Sequence, residues 1–275
     1  MYVAFHPADP ESFVAVKVLR PRHRGNPALV KGLCEEARIL DLLHHPNVVR
    51  THGMIDIDGV PALVMEVLHG LDLARCQRRR RFTVAETVSI LQQLLDALAH
   101  VHFHDIVHCD VKPANLFWAE GSRLVLTDFG VARPARTARW SRLEGSLGYV
   151  APERFQGAVL PASDLYAVGL IGWELLSGRV ACPPGDFSVR RRWHEAEGPE
   201  LLHKSPPDAP EWLARFLSRL LRREPERRPR DGRAALLLMR DMMRPVAGEV
   251  RSVLLPRSAE PGETEPITLS EGVTF

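Results

Sequence analysis

The sequence predicts an α+β fold in two unequal parts, a small β-rich part followed by a larger helical one. Three observations carry this expectation. Residues 12–20, SFVAVKVLR, are rich in Val and flanked by Pro10 and Pro21, the pattern of a strand. An Asp58-Gly59 pair separates two short apolar runs, as in a tight hairpin. From residue 83 onward apolar residues return every three or four positions, which is helical spacing.

Taken in order, the strand at 12–20 is followed by PALVKGLCEEARILDLLHHP, with Val30, Leu33, Ala37 and Leu40 on one helical face and an end before Pro46. The hairpin around Asp58-Gly59 completes a small sheet within residues 1–67. The next helix opens on Thr83 with Glu86 three residues later, a capping box, and presents Val88, Leu91, Leu95, Leu98 and Val101 or His102 along one side. Further helices are expected at about 162–177, 210–222 and 232–243. Residues 245–275 mix Pro, Glu, Ser, Thr and Gly and are expected to be a partly disordered tail carrying the hydroxyls of Ser258, Thr264, Thr268 and Ser270. No internal repeat is visible.

Composition narrows the class. The 275 residues are 45% hydrophobic and 25% charged, with a formal net charge of +2, so the balance argues for neither a nucleic-acid nor a membrane partner. The basic runs RCQRRRRF and VRRRWH read as solvated faces. Four cysteines stand without CxxC spacing, and no apolar run reaches the ~18–20 residues of a spanning helix. The expectation is a cytoplasmic protein with free thiols. The sequence leaves its oligomeric state open.

The stretch HVHFHDIVHCDVKPAN, residues 100–115, crowds four histidines, a cysteine and two aspartates together. A metal site is the obvious reading, but side chains at i and i+2 of a helix point apart rather than converge. The chemistry is expected in its second half, DVKPAN.

The ordered landmarks are Lys17 in VAVK, Glu36 in EEARIL, HCDVKPAN at 108–115, DFG at 128–130, APE at 151–153, Asp164 in SDLYAVG and Arg228 in PERRP. Together they resemble the protein kinase catalytic domain, in particular the eukaryotic-like Ser/Thr kinases of bacteria, over about residues 1–244. The resemblance implies a two-lobed protein-kinase-like fold, with a β-rich N-lobe at 1–67 and a helical C-lobe at 68–244. It implies ATP with Mg²⁺ (or Mn²⁺) and a protein substrate with a Ser or Thr acceptor. Lys17, held by Glu36, would reach the α/β-phosphates, with Ala15 under the adenine. Asp110 would take or orient the acceptor proton, and Lys112 would neutralise the γ-phosphate. Asn115 and Asp128 would hold the metal, which favours hard oxygen ligands. Met65 falls at the gatekeeper position; the Glu66 carbonyl and Leu68 amide would pair with adenine, and Asp72 would reach the ribose. Glu153 with Arg228, and Asp164, resemble structural supports, and His108 resembles a histidine packed on Phe129. Lys112 and Ser146 match the Ser/Thr-specific pattern.

Three departures qualify the resemblance. No GxG occurs before Lys17, so the family's first strand and glycine-rich phosphate-covering loop are expected to be missing, with Met1 or Tyr2 at the place of an adenine-covering Val. Either coding sequence extends upstream of Met1, or the chain is truncated and weakly active; a pseudokinase acting as a binding or scaffold protein is the alternative function. Cys109 replaces an Arg that pairs with a phosphorylated activation loop, so phosphorylation of Thr137 or Ser141 is not expected to act through it. Thr51 stands where an apolar residue would pack on Leu40, which is expected to loosen the coupling of the helix to the active site.

Overall fold

The fold comes from a computed structural model that describes residues 1–6, 9–135, 144–197 and 209–244. The proposed tail at 245–275 and the hydroxyls of Thr137 and Ser141 lie outside these residues.

The small part is a four-stranded antiparallel sheet in the order β1-β2-β4-β3, with one helix. Strands β1 (Tyr2–His6) and β2 (Asp9–Val18) form a hairpin, so β2 begins before Pro10 rather than after it. That first half of β2 pairs with β1 alone, an edge-like situation in which a missing proline N–H is tolerated. Helix α1 (Pro27–Leu42) starts as its sequence demands: the Asn26 side chain accepts from the Ala28 N–H, and Pro27 takes the first helical position. Its buried face is Leu33, Glu36, Ala37, Ile39 and Leu40.

Strands β3 (Thr51–Ile57) and β4 (Val60–Glu66) meet at Asp58 and Gly59, whose φ values of 52° and 78° are those of a left-handed two-residue turn. A β-bulge lies between Thr51 and Gly53. The Thr51 hydroxyl donates to the Val64 carbonyl at 3.2 Å and accepts from the Gly53 N–H at 3.0 Å, so this polar side chain is satisfied inside the sheet. In the β2–β4 register Ala15 faces Met65 and Lys17 faces Leu63.

The larger part is mainly helical. Helix α2 (Leu73–Arg79) is short and capped by the Asp72 carboxylate. Helix α3 (Val84–Phe103) carries the expected capping box between Thr83 and Glu86. Its buried stripe runs through Ile90, Leu91, Leu94, Leu95, Leu98 and Val101, while Val88 is only half-buried. Helix α4 (Pro161–Ser177) is buried on nearly every side, as expected of a helix that is apolar all round. Around it lie α5 (Phe187–Arg192) with a single π-helical turn at Trp193–Glu197, α6 (Glu211–Leu220) and α7 (Gly232–Met243). Short strands β5 (Gly70–Asp72), β7 (Leu116–Ala119) and β8 (Arg123–Leu126) form a second sheet, and β6 (Ile106–Val107) pairs with β9 (Arg133–Pro134). Among the described residues no helix is long and apolar enough to cross a membrane.

Candidate active site

A cavity of about 540 Å³ opens between the two parts, a size suited to a nucleotide-scale ligand. Nine of the residues singled out from the sequence line it: Ala15, Lys17, Glu36, Met65, Glu66, Leu68, Asp72, Asn115 and Asp128. Met1, Tyr2 and Val3 close the side next to β2. Val49, Val67, Ala114, Phe117 and Thr127 also line it and were not anticipated. Leu68 lines the cavity, and among the described residues its N–H has no protein partner.

Lys17 is fixed by two carboxylates. Its Nζ lies 2.7 Å from Glu36 Oε1 and 2.8 Å from Asp128 Oδ1. Burial alone would lower the Lys17 pKa, but the two negative charges more than offset it and the ammonium is held above its ordinary range. Burial pushes the Glu36 carboxyl upward against the pull of Lys17. Burial also opposes ionisation of Asp128, yet Lys17 holds that carboxyl below its usual value. Glu36 is buried while the Asp128 side chain is 48% exposed, so Asp128 is the open end of the triad.

The second cluster lies in the loop after β6. Lys112 Nζ is 2.6 Å from Asp110 Oδ2 and 2.7 Å from Ser146 Oγ. Asn115 Nδ2 donates to the Asp110 carbonyl at 2.9 Å and to Asp110 Oδ2 at 3.0 Å, and the Ser146 N–H donates to Asp110 Oδ1 at 2.7 Å. With its amide nitrogen engaged, Asn115 leaves its oxygen as the free ligating atom. Gly145 permits this close approach: it has φ of +105°, and a Cβ there would meet the Cys109 carbonyl oxygen at 2.7 Å.

The loop backbone is strained and braced. Cys109 has φ of +67°, a left-handed conformation unusual for a residue with a side chain. Asp164 of α4 stabilises it by accepting the His108 N–H at 2.8 Å and the Cys109 N–H at 2.9 Å. Asp164 also bonds His102 Nε2 at 3.0 Å, and the Gly232 N–H donates to His102 Nδ1 at 3.0 Å. These partners assign the tautomer, with the proton on Nε2. His102 is therefore a buried bridge from the α7 N-terminus to the loop brace, a role that the sequence did not reveal. His108 packs edge-on against Phe129 with ring centroids 4.7 Å apart. Arg228 grips Glu153 through both Nη atoms, at 2.7 and 2.9 Å.

Of the remaining histidines of the 100–115 stretch, His100 stacks with His45, ring centroids 5.2 Å apart, and meets His104 at a tilt, 4.6 Å apart. The Cys109 thiol is pushed up to about 12, by burial first and then by Asp164. Asp164 holds the Cys109 backbone, so its charge lies against this residue, while the Asp110 carboxylate faces Lys112.

The protein kinase domain family matches residues 3–238. The chain is 33% identical over 234 residues to a Ser/Thr protein kinase, drp72, of Corynebacterium efficiens, covering 80% of this chain and 44% of that protein. It is 32% identical over 235 residues to the probable Ser/Thr protein kinase pknA2 of Bifidobacterium longum, covering 81% and 30%. It is 30% identical over 272 residues to the Ser/Thr protein kinase PknA of Mycobacterium tuberculosis, covering 95% and 61%. The chain thus spans less than two thirds of the length of each relative. A match across nearly all of the described residues, on a fold that carries these landmarks in order, means that the chain belongs to the protein kinase domain family.

Proposed function

We propose that the chain is a protein serine/threonine kinase that transfers the γ-phosphate of ATP to a protein hydroxyl. The observation that carries this reading is the convergence of Asp110, Lys112, Asn115 and Ser146 within hydrogen-bond distance of one another, beside a cavity lined by the Lys17–Glu36–Asp128 triad. Phosphoryl transfer asks for positioning and charge neutralisation more than covalent help, and this cluster supplies both.

Each residue has a role in that reading. Ala15 and Met65, cross-strand partners, would bound the adenine, with the Glu66 carbonyl and Leu68 N–H as its polar contacts and Asp72 at the ribose. Lys17, oriented by Glu36, would hold the α/β-phosphates. Asp110 would orient the acceptor hydroxyl and receive its proton as the new O–P bond forms and the β–γ bridging bond breaks to release ADP. Lys112 would offset charge on the transferring group. The oxygen donors of Asp128 and Asn115 fit a hard divalent cation such as Mg²⁺, whose contribution is to neutralise phosphate charge.

The test is labelled-phosphate transfer from ATP with Mg²⁺ by this chain, onto itself and onto a mixture of Ser/Thr peptides. Transfer is expected, and is expected to vanish in both Asp110→Ala and Lys17→Met. Transfer that persists in both variants, or no transfer in any of the three proteins, overturns the reading.

A further inference from the structure

We propose that Arg190 is a specificity residue that reads an anionic side chain, carboxylate or phosphate, within two residues of the acceptor hydroxyl. This rests on the kinase reading above. Ser146 marks the transfer centre through its contacts with Lys112 and Asp110. Gly148 lies two residues further along the same segment, which continues into Ala151-Pro152-Glu153. A Cβ at Gly148 would come within 3.3 Å of Arg190 Nη1, so the guanidinium lies over the bare backbone of this segment.

The guanidinium is held but not neutralised. Its Nε donates to the Gly185 carbonyl at 3.0 Å, which uses one of its five N–H donors. Among the described residues no carboxylate pairs with it. The nearby acids are committed elsewhere: Asp186 caps the Val189 N–H, Glu174 accepts from the Tyr149 hydroxyl and the Ala181 N–H, Glu195 pairs with Arg191, and Glu144 pairs with Arg133. A half-buried cation without a counter-ion is an arrangement that an incoming anion relieves. The Tyr149 N–H donates to the Ser146 carbonyl at 2.9 Å, so the segment folds into a turn here and Gly148 stays close to Ser146, within about two residues of an extended substrate at about 3.3 Å each.

The test uses fluorescein-labelled serine peptides in which Glu, phosphoserine or Lys is placed in turn at each of three positions on either side of the acceptor. Binding is read by fluorescence anisotropy, and transfer is read separately. Glu or phosphoserine within two positions of the acceptor is expected to bind about tenfold more tightly than Lys, and the preference is expected to shrink at high salt. Arg190→Glu should reverse it, Arg190→Gln abolish it and Arg190→Lys retain it. Tighter binding of phosphoserine than of Glu would identify phosphorylated substrates, and the reverse acidic ones. Equal binding of all charges, or a preference that survives both Arg190→Glu and Arg190→Gln, overturns the proposal. An Arg190-dependent preference with no transfer to any peptide would sink the kinase reading and leave this site standing.

Discussion

Lys17 and Asp128, 111 positions apart in sequence, meet at 2.8 Å across the mouth of the cavity. The contact makes Asp128 both a partner of the ammonium and the most exposed carboxylate of the triad. A metal that takes the Asp128 oxygen competes with Lys17 for it, while the Glu36 contact at 2.7 Å stays in place. Asp128→Asn is therefore expected to bind ATP about tenfold or more weakly in Mg²⁺ and to lose its response to Mg²⁺. Titration calorimetry with and without the metal checks this; an unchanged Mg²⁺ response would remove Asp128 from the metal site.

Asp110 does not line the cavity between the two parts, although it contacts Asn115, which does. Asp110→Asn should then separate binding from chemistry. Transfer is expected to fall by roughly 10²–10⁴-fold, in the range of a lost general base, with ATP affinity within about twofold of the parent. A comparable loss in affinity would mean that Asp110 shapes the cavity rather than the reacting hydroxyl.

Arg228 has a fully buried side chain and spends its donors on Glu153 and on the carbonyls of Ala162, Arg222 and Arg223. Among the described residues, removing it leaves the Glu153 charge buried with only Ser163 as partner. Arg228→Ala is expected to destabilise the fold by about 3–5 kcal/mol, the cost of an uncompensated buried charge. Urea denaturation reads this directly, and Arg228→Lys, which keeps the charge but not the paired geometry, should fall between.

His194 sits wholly buried between the Tyr166 hydroxyl, 2.9 Å from its Nδ1, and the Leu147 carbonyl, 2.9 Å from its Nε2. Burial is the main cause that lowers its pKa, to about 4 from an ordinary 6.5. The unfolded chain takes up the proton first as pH falls, so the unfolded state binds more protons between pH 6.5 and 4. The neutral ring thus stabilises the fold above pH 6.5 by up to about 3 kcal/mol, and this is lost progressively toward pH 4. Melting temperature followed across that window should drop more steeply for the parent than for His194→Gln. Parallel curves would show that the ring does not titrate in the unfolding reaction.

The elements legible in the sequence were those whose cause is local. The Asp58-Gly59 turn, the Thr83–Glu86 capping box and the helical stripe of α3 each follow from residues a few positions apart. The site was legible where short motifs fixed residue type and spacing, as for Lys17, Asp110, Asn115 and Asp128. What stayed hidden was made by long-range contact between residues with no local signature. His102 reaches Gly232 across 130 positions, and Tyr166 reaches His194 across 28. Arg123, bonded to the Glu66 carboxylate and to the Pro46 carbonyl behind the cavity, reads in sequence as an ordinary surface arginine. The early start of β2 escaped notice because Pro10 signals a boundary locally, while pairing to β1 overrides it.

The bridge through His102 also sets a timetable for synthesis. Asp110 and Asn115 emerge early, but the brace on their loop is complete only when Asp164 has packed under it and Gly232 has closed onto His102. A nascent chain therefore carries this loop incompletely braced for more than a hundred residues of elongation. With domains folding as units during translation, the strained Cys109 conformation has its full support only after helix α7 begins to form. A chain released before residue 232 would hold Asp110 and Asn115 in sequence without the bridge that completes the brace on their loop.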